Sequence, residues 1–134
     1  PPAVDLAAEA RLARFLRAAI AAGLVRTAPD LSAGGLGLAL AEATFGEGVG
    51  AAVRVGLSAT ALFSESQGRA VAALAPRHVE RFLALAEQHG VPAAEVGEVG
   101  GDALEIAFAG GQLREPVEAL RRIWTEALPR ALGL

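Results

Sequence analysis

Asp30-Leu31-Ser32-Ala33-Gly34-Gly35-Leu36-Gly37-Leu38-Ala39-Leu40-Ala41-Glu42 is the stretch on which the fold turns. A polar turn at 29–32 is followed by Gly34-Gly35, and this pair opens a helix running to about Phe45. Leu36, Leu38, Ala39, Leu40 and Ala43 make that helix apolar nearly all round, so it is expected to be deeply buried, with Gly46 and Gly48 ending it. Immediately after it, Val49, Ala51, Val53 and Val55 alternate with Arg54 among the intervening residues, the period of a strand with one solvated face.

Upstream, residues 5–24 read as a helix capped by Asp5. Leu12, Phe15, Leu16, Ala19, Ile20 and Gly23 face inward, and Arg11, Arg14 and Arg17 face out. A short apolar segment, 24–28, leads into the turn. Downstream, 69–74 is apolar on both faces and is expected to be a central strand. Pro76 opens a third helix with Val79, Phe82, Leu83 and Ala86 inward and Gly90 at its end. Strands at 95–99 and 103–108, joined by Gly100-Gly101-Asp102, have the spacing of a hairpin. A last helix from Pro116 is expected to turn Val117, Leu120, Trp124 and Leu128 inward and to stop at Pro129.

This order contains the ferredoxin-like succession strand-helix-strand-strand-helix-strand. It predicts one α+β domain over 1–134, a three-layer α/β/α arrangement with a mixed, largely antiparallel sheet. The second and third helices would cover one face, and the first and last the other.

Composition narrows the chemistry. The chain has 134 residues, 12 Lys+Arg against 15 Asp+Glu, and no Cys. All its basic residues are Arg, and they form no basic stripe, so neither nucleic acid nor an anionic membrane is an expected partner. Disulfides, thiolate metal sites and cysteine nucleophiles are excluded, and two isolated histidines leave little for zinc. No apolar run is long enough to span a bilayer. The chain begins Pro1-Pro2 rather than with Met, which suggests a piece of a longer polypeptide.

Two segments could carry chemistry. At Asp30, Ser32, Gly34 and Gly35, free amides at a helix start can hold phosphate, but no phosphate-loop or dinucleotide fingerprint is met, and the spacing favours Asp30 or Ser32 capping the helix while the glycines permit close packing. At Glu65, Ser66, Gln67 and Arg69, a carboxylate, hydroxyl, carboxamide and guanidinium crowd together before the expected central strand. They can read a polar ligand, or Glu65 can simply pair with Arg69 and Ser66 hold a turn. His78, His89 and Trp124 read as structural, Glu95, Glu98 and Glu105 as a solvated sheet margin, and no catalytic or metal-binding residue is assigned.

Taken together, 30–42, Leu-Phe-Ser-Glu-Ser-Gln-Gly-Arg at 62–69 and Val-Gly-Glu-Val-Gly-Gly at 96–101 resemble the aminoimidazole ribonucleotide synthetase superfamily. Within it, nearly the whole chain is similar to the carboxy-terminal domain of the synthetase subunit of phosphoribosylformylglycinamidine synthase. The resemblance implies a cytoplasmic, ATP- and magnesium-dependent ligase of purine biosynthesis. That enzyme phosphorylates the formyl oxygen of formylglycinamide ribonucleotide and lets ammonia from glutamine attack, giving the amidine.

The chain looks like the last of four domains, so its implied partners are the remaining domains of the subunit, a glutaminase and a small accessory subunit. ATP, magnesium and catalytic contacts belong to the amino-terminal domains; no cofactor is implied for this domain, which by itself would be inactive. Glu65, Ser66 and Gln67 match a triplet that contacts the nucleotide in the first copy of the paired domains. Pro29 and Ala33 stand where the family has His and Asp, which gives weight to a packing role for the glycines. The implied role is a structural domain bordering a cleft, its phosphate end near Gly34 and Gly35, with 34–35 and 65–69 converging at one end of a single sheet. A stand-alone interaction module of the same fold is the alternative; a small-molecule kinase fits the Glu-Ser-Gln run and closing helix less well.

Overall fold

A computed structural model describes residues 4–133, which fall into two compact units. The chain is α+β, and three of its four strand pairings are antiparallel.

The first unit comprises residues up to Ala33 together with Glu65–Glu95. Helix α1, Leu6–Ala21, starts where Asp5 Oδ1 accepts the amides of Ala7 at 2.9 Å and Ala8 at 3.0 Å. These two donors, Ala8 foremost, hold the Asp5 carboxyl below its ordinary pKa, because they favour the anion. Strand β1, Val25–Thr27, pairs antiparallel with the two-residue β3, Ala73–Leu74, and helix α4 spans Val79–Gln88 behind a 3₁₀ turn at Pro76–His78. Phe15 of α1 meets Phe82 of α4 edge to face at 4.9 Å, and Ala19, Leu24 and Ala86 complete the buried cluster. Gly90, at φ +65, closes α4 as expected, with the Val91 amide donating to the Ala86 carbonyl at 2.9 Å.

The expected central strand at 69–74 is not one. Only Ala73 and Leu74 belong to a strand, β1 is its one partner, and residues 69–74 are half-buried. A two-stranded ladder has no interior position, so an apolar run alone did not place this segment between other strands. Ile20, expected to face inward on α1, is exposed.

The second unit comprises Gly34–Ser64 and the chain from Val96 onward. Helix α2 spans Gly35–Phe45, the bounds expected, and its Leu36, Gly37, Ala39, Leu40, Ala41 and Thr44 are buried. Strand β2, Ala51–Ser58, runs into a single helical turn α3, Ala59–Leu62. Strands β4, Gly97–Val99, β5, Ala103–Ala109, and β6, Gly111–Pro116, complete a sheet of order β4-β2-β5-β6, followed by helix α5, Val117–Ala131. β2 lies parallel to β5, with Ala51 opposite Leu104 and Val53 opposite Ile106, so that four apolar side chains fall on one buried row.

The 95–99/103–108 hairpin does not form, because β2 lies between its two arms. The Gly100-Gly101 bend wraps the start of β2 instead: Gly50 N–H donates to the Gly101 carbonyl at 2.9 Å, and Gly100 N–H to the Gly50 carbonyl at 2.8 Å. Gly50 and Gly97 have no room for a Cβ, since the carbonyls of Ala103 and Ala52 occupy it. The hairpin in this unit joins β5 to β6, a strand absent from the sequence reading, through Gly110 at φ +93.

The helices also group otherwise than expected: α1 packs on α4 in the first unit and α2 on α5 in the second. Only Val117 of α5 is buried; Trp124 and Leu128 are exposed, and Pro129 lies inside the helix rather than ending it. The two ladders are separate among the described residues, so the single sheet expected to gather the polar segments is not present.

Candidate functional site

In the first unit, the segments around 30 and 70 lie side by side. Asp30 and Ala70 form an antiparallel bridge, Leu31 N–H donates to the Arg69 carbonyl at 3.3 Å, and Val71 N–H to the Pro29 carbonyl at 3.2 Å. Opposite them runs α1. Between the two is a cleft of about 380 Å³ with Leu12, Ala13 and Leu16 of α1 on one wall. Asp30, Ser32, Glu65, Gln67 and Arg69 supply its polar edge. Five of the eight residues singled out in the sequence therefore line one space.

Local geometry fixes this edge. Arg69 Nε donates to the Ser66 carbonyl at 3.2 Å, closing a tight turn in which Gly68 takes φ +73. A Cβ at Gly68 would stand 3.3 Å from Glu9 Oε1, so the glycine both permits the turn and lets α1 approach it. Ser66 contributes that carbonyl and is not among the lining residues. Glu9, which the sequence reading passed over, does line the cleft. It falls on α1 one helical turn before Leu12 and Ala13, and that spacing was the available signal.

Gly34 and Gly35 belong to the second unit. Their φ values are +72 and +60, and α2 begins there without a side-chain cap, so the capping role considered for Asp30 or Ser32 is not taken up. The space left by the missing Cβ of Gly35 is filled by the Ser64 carbonyl and the backbone of Leu62 and Phe63, and a Cβ at Gly34 would meet Leu38 Cβ at 2.6 Å. Gly35 thus lets backbone pack on backbone, and Gly34 lets the Leu38 side chain close over it.

The polar edge sets the carboxylates of Glu9, Asp30 and Glu65 against the guanidinium of Arg69. The hydroxyl of Ser32 and the carboxamide of Gln67 beside these charges can both donate and accept hydrogen bonds with a ligand. No three His, Asp or Glu side chains among the described residues are placed to hold a metal ion, and no helix is long and apolar enough to cross a membrane. His78 Nδ1 lies 3.3 Å from the Leu24 carbonyl and the His89 ring 6.1 Å from Phe15, both structural positions.

An α+β fold with a four-stranded mixed sheet and a glycine-led buried helix defines the class of domain. Residues 1–109 match the family model for AIR synthase related protein, C-terminal domain, and the chain belongs to that family. It is similar to phosphoribosylformylglycinamidine synthase subunit PurL of Nocardioides sp. (strain ATCC BAA-499 / JS614), with 47% identity over 134 residues, 99% of this chain and 17% of the relative. The chain thus spans less than a fifth of that relative's length. Among solved structures, PurLQS from Thermotoga maritima superposes with TM-score 0.78 at 27% identity, covering 88% of this chain and 22% of that one. T. maritima PurL complexed with FGAR superposes with TM-score 0.73 at 28% identity over 84% and 21% of the two chains. The same protein complexed with ATP gives TM-score 0.73 at 28% identity over 83% and 21%.

Proposed function

We propose that this chain is a structural, cleft-bordering domain of a phosphoribosylformylglycinamidine synthase, one part of a longer subunit. The observation that carries the reading is the 47% identity to a PurL subunit over 99% of the chain. In this reading the whole assembly, in the cytoplasm, uses ATP and magnesium to convert formylglycinamide ribonucleotide to its amidine. The remaining domains of the subunit, a glutaminase and a small accessory subunit are the partners; the complexes of the T. maritima protein with ATP, with FGAR and as PurLQS support this. Nucleic acid and membrane have no part in it.

Within the domain, Asp30, Ser32, Glu65, Gln67 and Arg69 are proposed to read the uncharged, hydrogen-bonding portion of a ligand. Ser66 anchors Arg69 through its carbonyl, while Gly34 and Gly35 shape the start of α2 in the second unit. Neither catalytic step is assigned to a side chain of this domain, so the isolated domain is expected to be inactive. Calorimetry of ATP, ADP and formylglycinamide ribonucleotide against the isolated domain and against the complete subunit tests this. Binding to the subunit alone is the expected result; full affinity in the isolated domain would overturn it.

A further inference from the structure

The apolar stripe of α5 runs on past its buried start into residues that remain exposed. Trp124, Leu128 and Leu132 recur at four-residue spacing with Ile123 beside them, and they are 53%, 66%, 64% and 65% exposed respectively. The helix packs on α2 and β6 through the start of this same stripe, with Val117 buried and the Trp124 ring 6.1 Å from Phe45, so Leu128 and Leu132 continue a packed face beyond what covers it. Two ion pairs lie along the helix: Arg121 with Glu118 at 2.7 Å, and Arg130 with Glu126. A partner would therefore meet an apolar surface offering little net charge.

We infer that the Ile123–Trp124–Leu128–Leu132 face docks against another part of the same polypeptide, through an apolar surface on that part. The inference rests on the assignment of this chain to a longer subunit. More than four-fifths of the length of its relative lies outside the 134 residues, so an intramolecular occupant is at hand. Size favours that occupant over a second copy. Four side chains present a few hundred Å² per copy, while a stable pair of separate molecules buries at least about 1,200 Å² in total. A covalently tethered partner needs far less, because its effective concentration reaches roughly the millimolar range.

Hydroxyl-radical footprinting of the full-length subunit, read by mass spectrometry, tests the inference. Trp124 and Leu128 in the urea-denatured subunit serve as references. Trp124 and Leu128 are expected to be oxidised several-fold more slowly, relative to those references, than their exposure here dictates. Leu128→Arg is expected to restore fast labelling of Trp124 while leaving circular dichroism unchanged. Labelling of Trp124 at the rate of an exposed indole would overturn the inference. So would protection that appears only at concentrations where the subunit self-associates in sedimentation, or only after accessory subunits are added. A catalytically active subunit with an unprotected Trp124 would refute the docking and leave the proposed function standing.

Discussion

The carbonyl of Ser64, the residue immediately before the polar run at 65–69, occupies the space that a Cβ would take at Gly35. A Cβ at Gly35 would stand 2.9 Å from the carbonyl carbon of Phe63. Gly35 also sits at φ +60, where an L side chain is strained. Gly35→Ala therefore combines conformational strain with a backbone clash. We expect a loss of about 2 kcal/mol or more in urea unfolding, against little change for Gly46→Ala, where a Cβ meets nothing and φ is −60. Equal effects at the two positions would contradict the packing role.

Phe15 and Phe82 hold α1 to α4. Phe15→Ala removes a ring that is 2% exposed and in edge contact with its partner, and should cost about 3–5 kcal/mol in chemical denaturation. Phe15→Leu, which keeps most of the volume, should cost clearly less.

Acid should weaken the start of α1. The Asp5 carboxyl titrates below 3.8 in the folded chain, so its anionic cap contributes stability that is complete above that value and is lost as pH falls through the lower folded pKa. Asp5→Asn carries a neutral cap at every pH. The difference in urea midpoint between wild type and Asp5→Asn should accordingly be largest near neutrality and shrink towards zero well below pH 3.8.

Within the complete subunit, Gln67→Ala and Arg69→Ala should raise KM for the nucleotide about ten- to hundredfold, the loss of one or two hydrogen bonds to a ligand. Thermal unfolding of the subunit should barely change with Gln67→Ala. A KM unchanged in both variants would remove the cleft from substrate recognition.

Leu128→Ser should change the stability of the isolated chain by no more than about 0.5 kcal/mol, because the side chain is solvated there. Thermal or urea unfolding checks this directly, and it is the opposite of what a core position on a closing helix would show.

Much of the site was legible because its signals are local. Asp5 before an apolar-periodic run, the glycine pair before Leu36, and the Glu-Ser-Gln-Gly-Arg run announce a cap, a helix start and a polar bend within a few residues each. Glu9 was missed because its one-turn spacing from Leu12 and Ala13 places it on a helix face without saying which remote turn is brought up to that face. Strand β6 was missed because Gly111-Gln112-Leu113-Arg114-Glu115-Pro116 has almost no apolar alternation and exists through its pairing with β5.

The sequence by itself determined the α+β class, the bounds of α2 and the core contribution of Phe15, Phe82 and Ala86. These follow from turn chemistry and from the 3.6- and two-residue periods. Only the tertiary structure decided that β2 slips between β4 and β5, that of 69–74 only Ala73 and Leu74 join a two-stranded ladder, and that Trp124 is half exposed. Strand partners and the burial of an amphipathic helix depend on which remote segment arrives to cover a face, and periodicity records the face without recording what covers it.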